Sequence, residues 1–171
     1  MQHDLRSKRM FRYFSKMSAF AVSTCLSTML IAATQTLTIE VGLMNETTLS
    51  GTTVLLDSSK GTYSNGVVEV FDSSATVDVT TSDSNQKFVA SLNEDMPDGV
   101  ELYLRVTGGR SSGTGNVQGA YSRLTSSTVD IITGMSNYTL DDGVLDFKMA
   151  VNENAAPITQ SYTLSLVITS G

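Results

Sequence analysis

Strict alternation of apolar and polar residues is the feature that most constrains what this chain can fold into. In the run Ser161–Thr169, every second residue is apolar, and the apolar set is Tyr162, Leu164, Leu166 and Ile168. A period of two residues matches a β-strand that buries one face and leaves the other in water. Such runs recur along the chain, so the sequence predicts β-strands rather than helices.

The predicted strands fill most of the chain after residue 33, and no stretch there has helical spacing. They span Thr36–Leu43, Thr53–Leu56, Val67–Phe71, Thr76–Thr80, Phe88–Leu92, Glu101–Val106, Val117–Tyr121, Val129–Thr133, Val144–Val151 and Ser161–Thr169. Clusters of turn-forming residues separate them. These clusters are Asp57–Gly61, Ser64–Gly66, Asp72–Ser74, Ser82–Asn85, Pro97–Gly99 and Asp141–Gly143. Many short strands between frequent turns predict an all-β fold, a single immunoglobulin-like β-sandwich over residues 34–171.

The segment Gly108–Gly119 is rich in glycine and serine and is the longest predicted loop. A phosphate-binding loop would end in Gly-Lys-Ser/Thr at the start of a helix, and this segment does not. We therefore expect a mobile surface loop here.

The first 33 residues differ from the rest and predict a secretory signal peptide. Basic residues open the chain, and Met17–Ala33 then contains no charged residue and ends in two alanines. This order of basic, apolar and small residues is typical of a signal peptide, with cleavage expected after Ala33. An uncleaved N-terminal anchor is the alternative. Cys25 lies inside the apolar run rather than at its end, which favours a small apolar residue over a lipid-modified one.

Loss of this leader would change the charge of the protein. The whole chain has 11 basic and 17 acidic residues; residues 34–171 keep six and sixteen, a net charge of −10. Such a surface repels nucleic acid and anionic lipid, so neither is an expected partner.

The side chains that most catalytic sites require are missing after residue 33. His3 and Cys25 are the only histidine and cysteine, and both lie in the predicted leader. Without them we expect no Ser-His-Asp triad, zinc site or disulfide, and hence no enzyme, cofactor, metal or small-molecule substrate. A hydrolase with paired carboxylates stays open. Oxygen ligands for calcium are also present, but they lack calcium-loop spacing, which favours a role in turns. They are Asp83, Asn85, Asn93, Glu94, Asp95 and Asp98.

Alternating strands stand at both ends of the predicted domain. The opening segment, residues 34–44, could complete the sheet of a neighbouring copy, because an exposed strand edge is a surface for pairing. The alternative is that Thr36–Leu43 is simply the first strand of its own sandwich.

Three segments carry a resemblance to a known family. An alternating Thr-rich strand opens the domain at Thr36–Val41, a polar turn and β-rich segment follow at Thr80–Val89, and Ser161–Thr169 closes it without any disulfide. In these features the chain resembles the pilins of alternate chaperone–usher fimbriae, the colonisation-factor type of major subunit. The segments Asp95–Val100 and Val129–Gly134 also resemble uncharacterised small secreted bacterial β-sandwich proteins.

The resemblance implies a structural subunit of an extracellular fibre, assembled by β-strand complementation. The donor residues would be Leu37, Ile39, Val41 and Leu43. The edge of the acceptor groove would be formed by Tyr162, Leu164, Leu166 and Ile168. Its partners would be copies of itself, a periplasmic chaperone and an outer-membrane usher, and it would pass through the periplasm to the cell surface. The alternative is a monomeric secreted module that binds a carbohydrate or protein through Gly108–Gly119 and Tyr121.

Overall fold

The structure is a computed structural model that describes residues 34–41, 46–51, 53–157 and 159–171, with side chains described for 34–38 but not for 39–41. The predicted signal peptide and the predicted donor residue Leu43 lie outside these ranges. About three quarters of the described residues are β-strand and none is α-helix, which confirms the prediction of an all-β fold.

Eleven strands and one turn of 3-10 helix, Ser58–Lys60, make up the regular structure of the described residues. The strands are β1 (Thr34–Val41), β2 (Thr47–Ser50), β3 (Thr53–Asp57), β4 (Thr62–Ser64), β5 (Val67–Thr81), β6 (Gln86–Leu92), β7 (Val100–Thr107), β8 (Arg110–Val117), β9 (Ser122–Leu124), β10 (Val129–Asn152) and β11 (Thr159–Ser170).

Hydrogen bonds join all eleven strands into one curled sheet in the order β2-β5-β10-β6-β11-β1-β3. The remaining strands branch from this path, with β4 on β5, β7 and β8 on β10, and β9 on β7. The long strand β10 is the centre of the fold, because it pairs with β5, β6, β7 and β8. The finer assignment to an immunoglobulin-like sandwich stays a prediction.

Two clusters that the sequence analysis assigned to turns lie inside long strands. Asp72–Ser74 is part of β5 and Asp141–Gly143 is part of β10, and each lies at an irregularity in the β5–β10 pairing. At the first, the Ser74 amide donates to Asp72 Oδ1 over 2.9 Å. At the second, Asp142 adopts a φ of +56°. An extra residue on one strand bends it without ending it, so these clusters form β-bulges where turns were expected.

The prediction of a loop at Gly108–Gly119 is also wrong, because most of this segment is the strand β8, which pairs with β10. The glycines serve close packing here. A Cβ atom on Gly115 would lie 2.6 Å from the ring of Tyr138, and one on Gly113 would overlap the Asn137 carbonyl oxygen. Only residues without a side chain let β8 approach β10 this closely. The prediction of a strand at Val117–Tyr121 is wrong as well, since β8 ends at Val117 and the next strand begins at Ser122.

Other turns form as expected from their residues. Asn65 and Gly66 both have positive φ, at +51° and +82°, and join β4 to β5 in a two-residue hairpin. This is the geometry that an Asn-Gly pair favours.

One hydrophobic core lies inside the curl of the sheet, built from every second residue of the strands. In β7 the inward set is Val100, Leu102, Leu104 and Val106, each at most 2% exposed. The alternation in the sequence therefore identifies the buried face correctly, and strand β1 packs against this core through Leu37.

Candidate functional site

Strand β1 lies between β11 and β3 in the sheet. It runs parallel to β11 over eight residue pairs, from Thr34 opposite Thr159 to Val41 opposite Leu166. On its other side it runs antiparallel to β3, from Thr34 opposite Asp57 to Thr38 opposite Thr53. In a single copy, β1 thus pairs within its own chain, with a strand on each side.

The strip of core beneath β1 has two walls, and we call it the β1 groove. Its buried residues are Val54 and Leu56 of β3 and Tyr162, Leu164 and Leu166 of β11. All five are at most 2% exposed, so this strip is fully covered while β1 is in place. Removal of β1 would expose apolar side chains and leave two strands with unpaired backbone groups.

The predicted donor residues fall along β1 as far as the structure describes them. Leu37 is 1% exposed and lies opposite Tyr162 on one side and Val54 on the other. Ile39 and Val41 lie opposite Leu164 and Leu166 in the pairing with β11. Their side chains, like the whole of Leu43, are outside the described part of the chain.

The predicted acceptor residues on β11 all face the core. Tyr162, Leu164 and Leu166 are buried, and Ile168, beyond the stretch paired with β1, is 5% exposed. The strand β6 pairs with the other side of β11 over seven residue pairs. β11 is therefore an inner strand while β1 is in place and would become an edge strand without it.

The second wall of the groove, β3, was not predicted as part of the site. Strand β3 was predicted as a strand over Thr53–Leu56, but this four-residue run gives no sign of its neighbours. In the described structure, its strand partner is β1 alone. In the structure, Val54 and Leu56 are buried on either side of exposed Leu55, so this face of β3 packs against the core.

Two polar side chains are buried at this seam without a hydrogen bond. Gln35 of β1 is 2% exposed, and neither its Nε2 nor its Oε1 has a partner among the described residues. The Tyr162 hydroxyl is likewise unpartnered, and its burial, assisted by the nearby charge of Glu94, raises the pKa of Tyr162. Gln160, directly opposite Gln35, instead donates to Glu94 Oε1 over 2.7 Å.

A second candidate site lies on the outer face of β5, β10 and β7, where Tyr121 packs on the sheet. Its hydroxyl donates to Asp146 Oδ2 over 2.9 Å, and the Arg105 guanidinium lies 4.3 Å from its ring centre. Burial, followed by the hydrogen bond to Asp146, raises the pKa of Tyr121. Phe71, 55% exposed, has its ring centre 6.5 Å from that of Tyr121. These contacts fix the coil after β8 onto the sheet.

A pocket of about 290 Å³ opens near this face. Its polar rim includes Glu101 and Arg123, which form an ion pair at 3.3 Å. The apolar part of its lining includes Val67, Met96 and Ala150. A pocket of this volume lies just below the range of about 300–1,000 Å³ that is typical of small-molecule sites.

Two of the residues considered as calcium ligands, Asn93 and Asp95, hold neighbouring segments together. Asn93 Oδ1 accepts from the Thr163 amide at 2.8 Å, and Asp95 Oδ1 accepts from the Ser126 amide at 2.7 Å. The hydrogen bonds from Ser126 lower the pKa of Asp95. Within the described ranges, no cluster of three or more His, Cys, Asp or Glu side chains could hold a metal ion.

No protein-family model and no curated protein matches the sequence. Among the residues that the structure describes, none forms a helix of the length and apolar character needed to cross a membrane.

Proposed function

We propose that this chain is a structural subunit of an extracellular fibre, in which β1 of one copy fills the β1 groove of the next. The observation that carries this proposal is the position of β1. It is one continuous strand that covers an apolar groove whose two walls, β3 and β11, both belong to later parts of the chain.

This arrangement suits exchange between copies because the groove contains no residue of β1 itself. A β1 strand from another copy can therefore make the same contacts as the chain's own β1, which is the basis of domain swapping. If each copy accepts β1 from one neighbour and donates its own β1 to another, the polymer can grow without limit. A heterologous contact of this kind builds a filament rather than a closed dimer.

An open groove also selects a strand over other occupants. Backbone groups of β3 and β11 would lose their partners, and only an extended segment can restore both ladders at once. The occupant must also present a mainly apolar inward face, to which β1 contributes Leu37. This is recognition by β-strand addition, with the backbone supplying affinity and alternate side chains supplying specificity.

The sequence features support the cellular setting of the proposal. The basic and apolar opening of the chain favours export, and the resemblance to alternate chaperone–usher pilins implies passage through the periplasm with a chaperone and an usher. An acidic chain also suits a subunit that must stay soluble until it assembles. On this proposal, the assembled polymer, rather than a single copy, binds any receptor or surface.

A disulfide lock tests the proposal. Thr38 of β1 and Thr53 of β3 are exposed and directly opposite each other in an antiparallel pair. Their Cα separation, about 4.5–5.5 Å in such pairs, lies within the range for a disulfide. We expect the product of the full chain with T38C/T53C, in a C25S background, to stay monomeric when oxidised and to polymerise after reduction, as measured by size-exclusion chromatography and electron microscopy.

The matched control places the same bridge away from β1. Ser64 and Val67 are opposite each other across the hairpin between β4 and β5, so S64C/V67C should polymerise in both redox states. Polymers formed by the oxidised T38C/T53C variant would contradict the proposal, as would a wild-type protein that never leaves the monomer.

The second candidate function is a monomeric binding module for a carbohydrate or protein. Exposed Phe71 beside Tyr121 favours it, because exposed aromatic rings commonly anchor such ligands. The same chromatography separates the two functions. A wild-type monomer at all concentrations would favour the binding module, and polymers would favour the fibre subunit.

A further inference from the structure

We infer that Gln35 is the residue that keeps β1 releasable from its own groove. This inference rests on the proposed function, because release of β1 is the step that exchange between copies requires. It concerns the rate of that step rather than the identity of the final assembly.

Gln35 stands at an inward position of β1 that should be apolar. It is two residues before Leu37, on the same face of the strand, and is 2% exposed. Neither polar atom of its amide has a hydrogen-bond partner among the described residues. A buried polar group without a partner loses its hydrogen bonds to water and gains none in return. The closed form of the monomer is therefore less stable than it would be with an apolar residue at this position.

The neighbouring strand shows that the local structure can satisfy a glutamine. Gln160 of β11 lies directly opposite Gln35, is half-buried, and donates to Glu94 over 2.7 Å. The Tyr162 hydroxyl, two residues further along β11, is another buried group without a partner. Gln35 and Tyr162 thus carry unsatisfied polar groups on the inward face of this seam, whereas Gln160, on the same face but only half-buried, is satisfied.

The effect of Gln35 falls on the opening rate because an exchanged strand makes the same contacts as a resident one. In a true swap, Gln35 is buried in both the closed and the exchanged form, so the equilibrium between them changes little. The open form is different, because water can then bond to the amide. An unpartnered buried amide favours opening by roughly tenfold over an apolar side chain of similar shape.

The variant Q35M tests this inference, since methionine keeps the unbranched shape and removes the amide. Hydrogen exchange measured on the monomeric protein should show about tenfold higher protection of the β1 amides, and transfer of β1 between isotopically labelled copies should slow by a similar factor. Q160M, the same substitution at the opposite residue, removes a satisfied amide and should leave β1 protection unchanged or lower.

Equal or lower protection of β1 in Q35M would overturn the inference, and so would an equal gain in Q160M. Higher protection in Q35M, with no gain in Q160M, supports it. Hydrogen exchange needs no polymer, so the result is distinct from that of the disulfide lock. A protein that shows the protection change but never polymerises would contradict the proposed function while leaving the role of Gln35 in place.

Discussion

Individual glycines determine where strands of this chain can pack closely, and composition alone predicts their structure wrongly. The run Gly108–Gly119 has the composition of a mobile loop, yet it contributes β8 to the sheet. The composition is explained by the surface it meets. Gly113, with a φ of +81°, and Gly115 pass over the β10 backbone and the Tyr138 ring, where a methyl group would not fit. A one-dimensional pattern cannot show a requirement set by a strand that lies further along the chain.

We predict that G113A destabilises the protein strongly. The new Cβ would overlap the Asn137 carbonyl oxygen and force a positive φ on alanine, so the free energy of unfolding should fall by about 3 kcal/mol. The control is G119A, because a Cβ there meets no atom within 4 Å. Urea unfolding of both variants measures the difference. Equal stability of the two variants would mean that β8 does not pack on β10 as described.

At the scale of elements, the positions of the strands were predicted better than the lengths of the longest ones. The alternating runs in β7 and β11 match the observed strands to within two residues at each end. The long strands β5 and β10 were each divided in two, because Asp-containing clusters that are typical of turns lie at β-bulges in this fold.

The candidate site was predictable only in part, for a reason of the same kind. Alternation identified the inward face of β11, and it placed Leu37 correctly toward the core. It could not show that β3 forms the other wall of the β1 groove, since pairing partners are set by the whole fold. Gln35 was overlooked because a single polar residue at the start of an alternating run gives no sign that it will be buried.

A pair of leucines on β3 tests whether that strand is a wall of the groove. Leu56 is fully buried, whereas adjacent Leu55 is 56% exposed. We expect L56A to lower the free energy of unfolding by about 2–5 kcal/mol, since it leaves a cavity in the core. L55A should change it by less than about 0.5 kcal/mol. Chemical denaturation of the two variants checks this, and a larger loss for L55A would show that β3 faces the other way.

At the scale of the whole molecule, the fold is a single sheet in which the strand β1, between β11 and β3, could be supplied by another copy. The described core is one continuous cluster, and β1 contributes Leu37 to it between β3 and β11. A monomer can therefore be complete with its own β1, and a polymer can be complete with exchanged ones. The account predicts that both states exist and that they differ in which chain donates β1.

The most direct measurement of that claim is a disulfide between two different chains. One population carries T38C and the other T53C, both in the C25S background and distinguished by isotopic labelling, and they are mixed during assembly before oxidation. The account predicts a disulfide between the two introduced cysteines that joins a labelled to an unlabelled chain, found by peptide mass spectrometry throughout the polymer. Polymers that contain no such bridge, although the double variant forms it within one chain, would contradict strand exchange through β1.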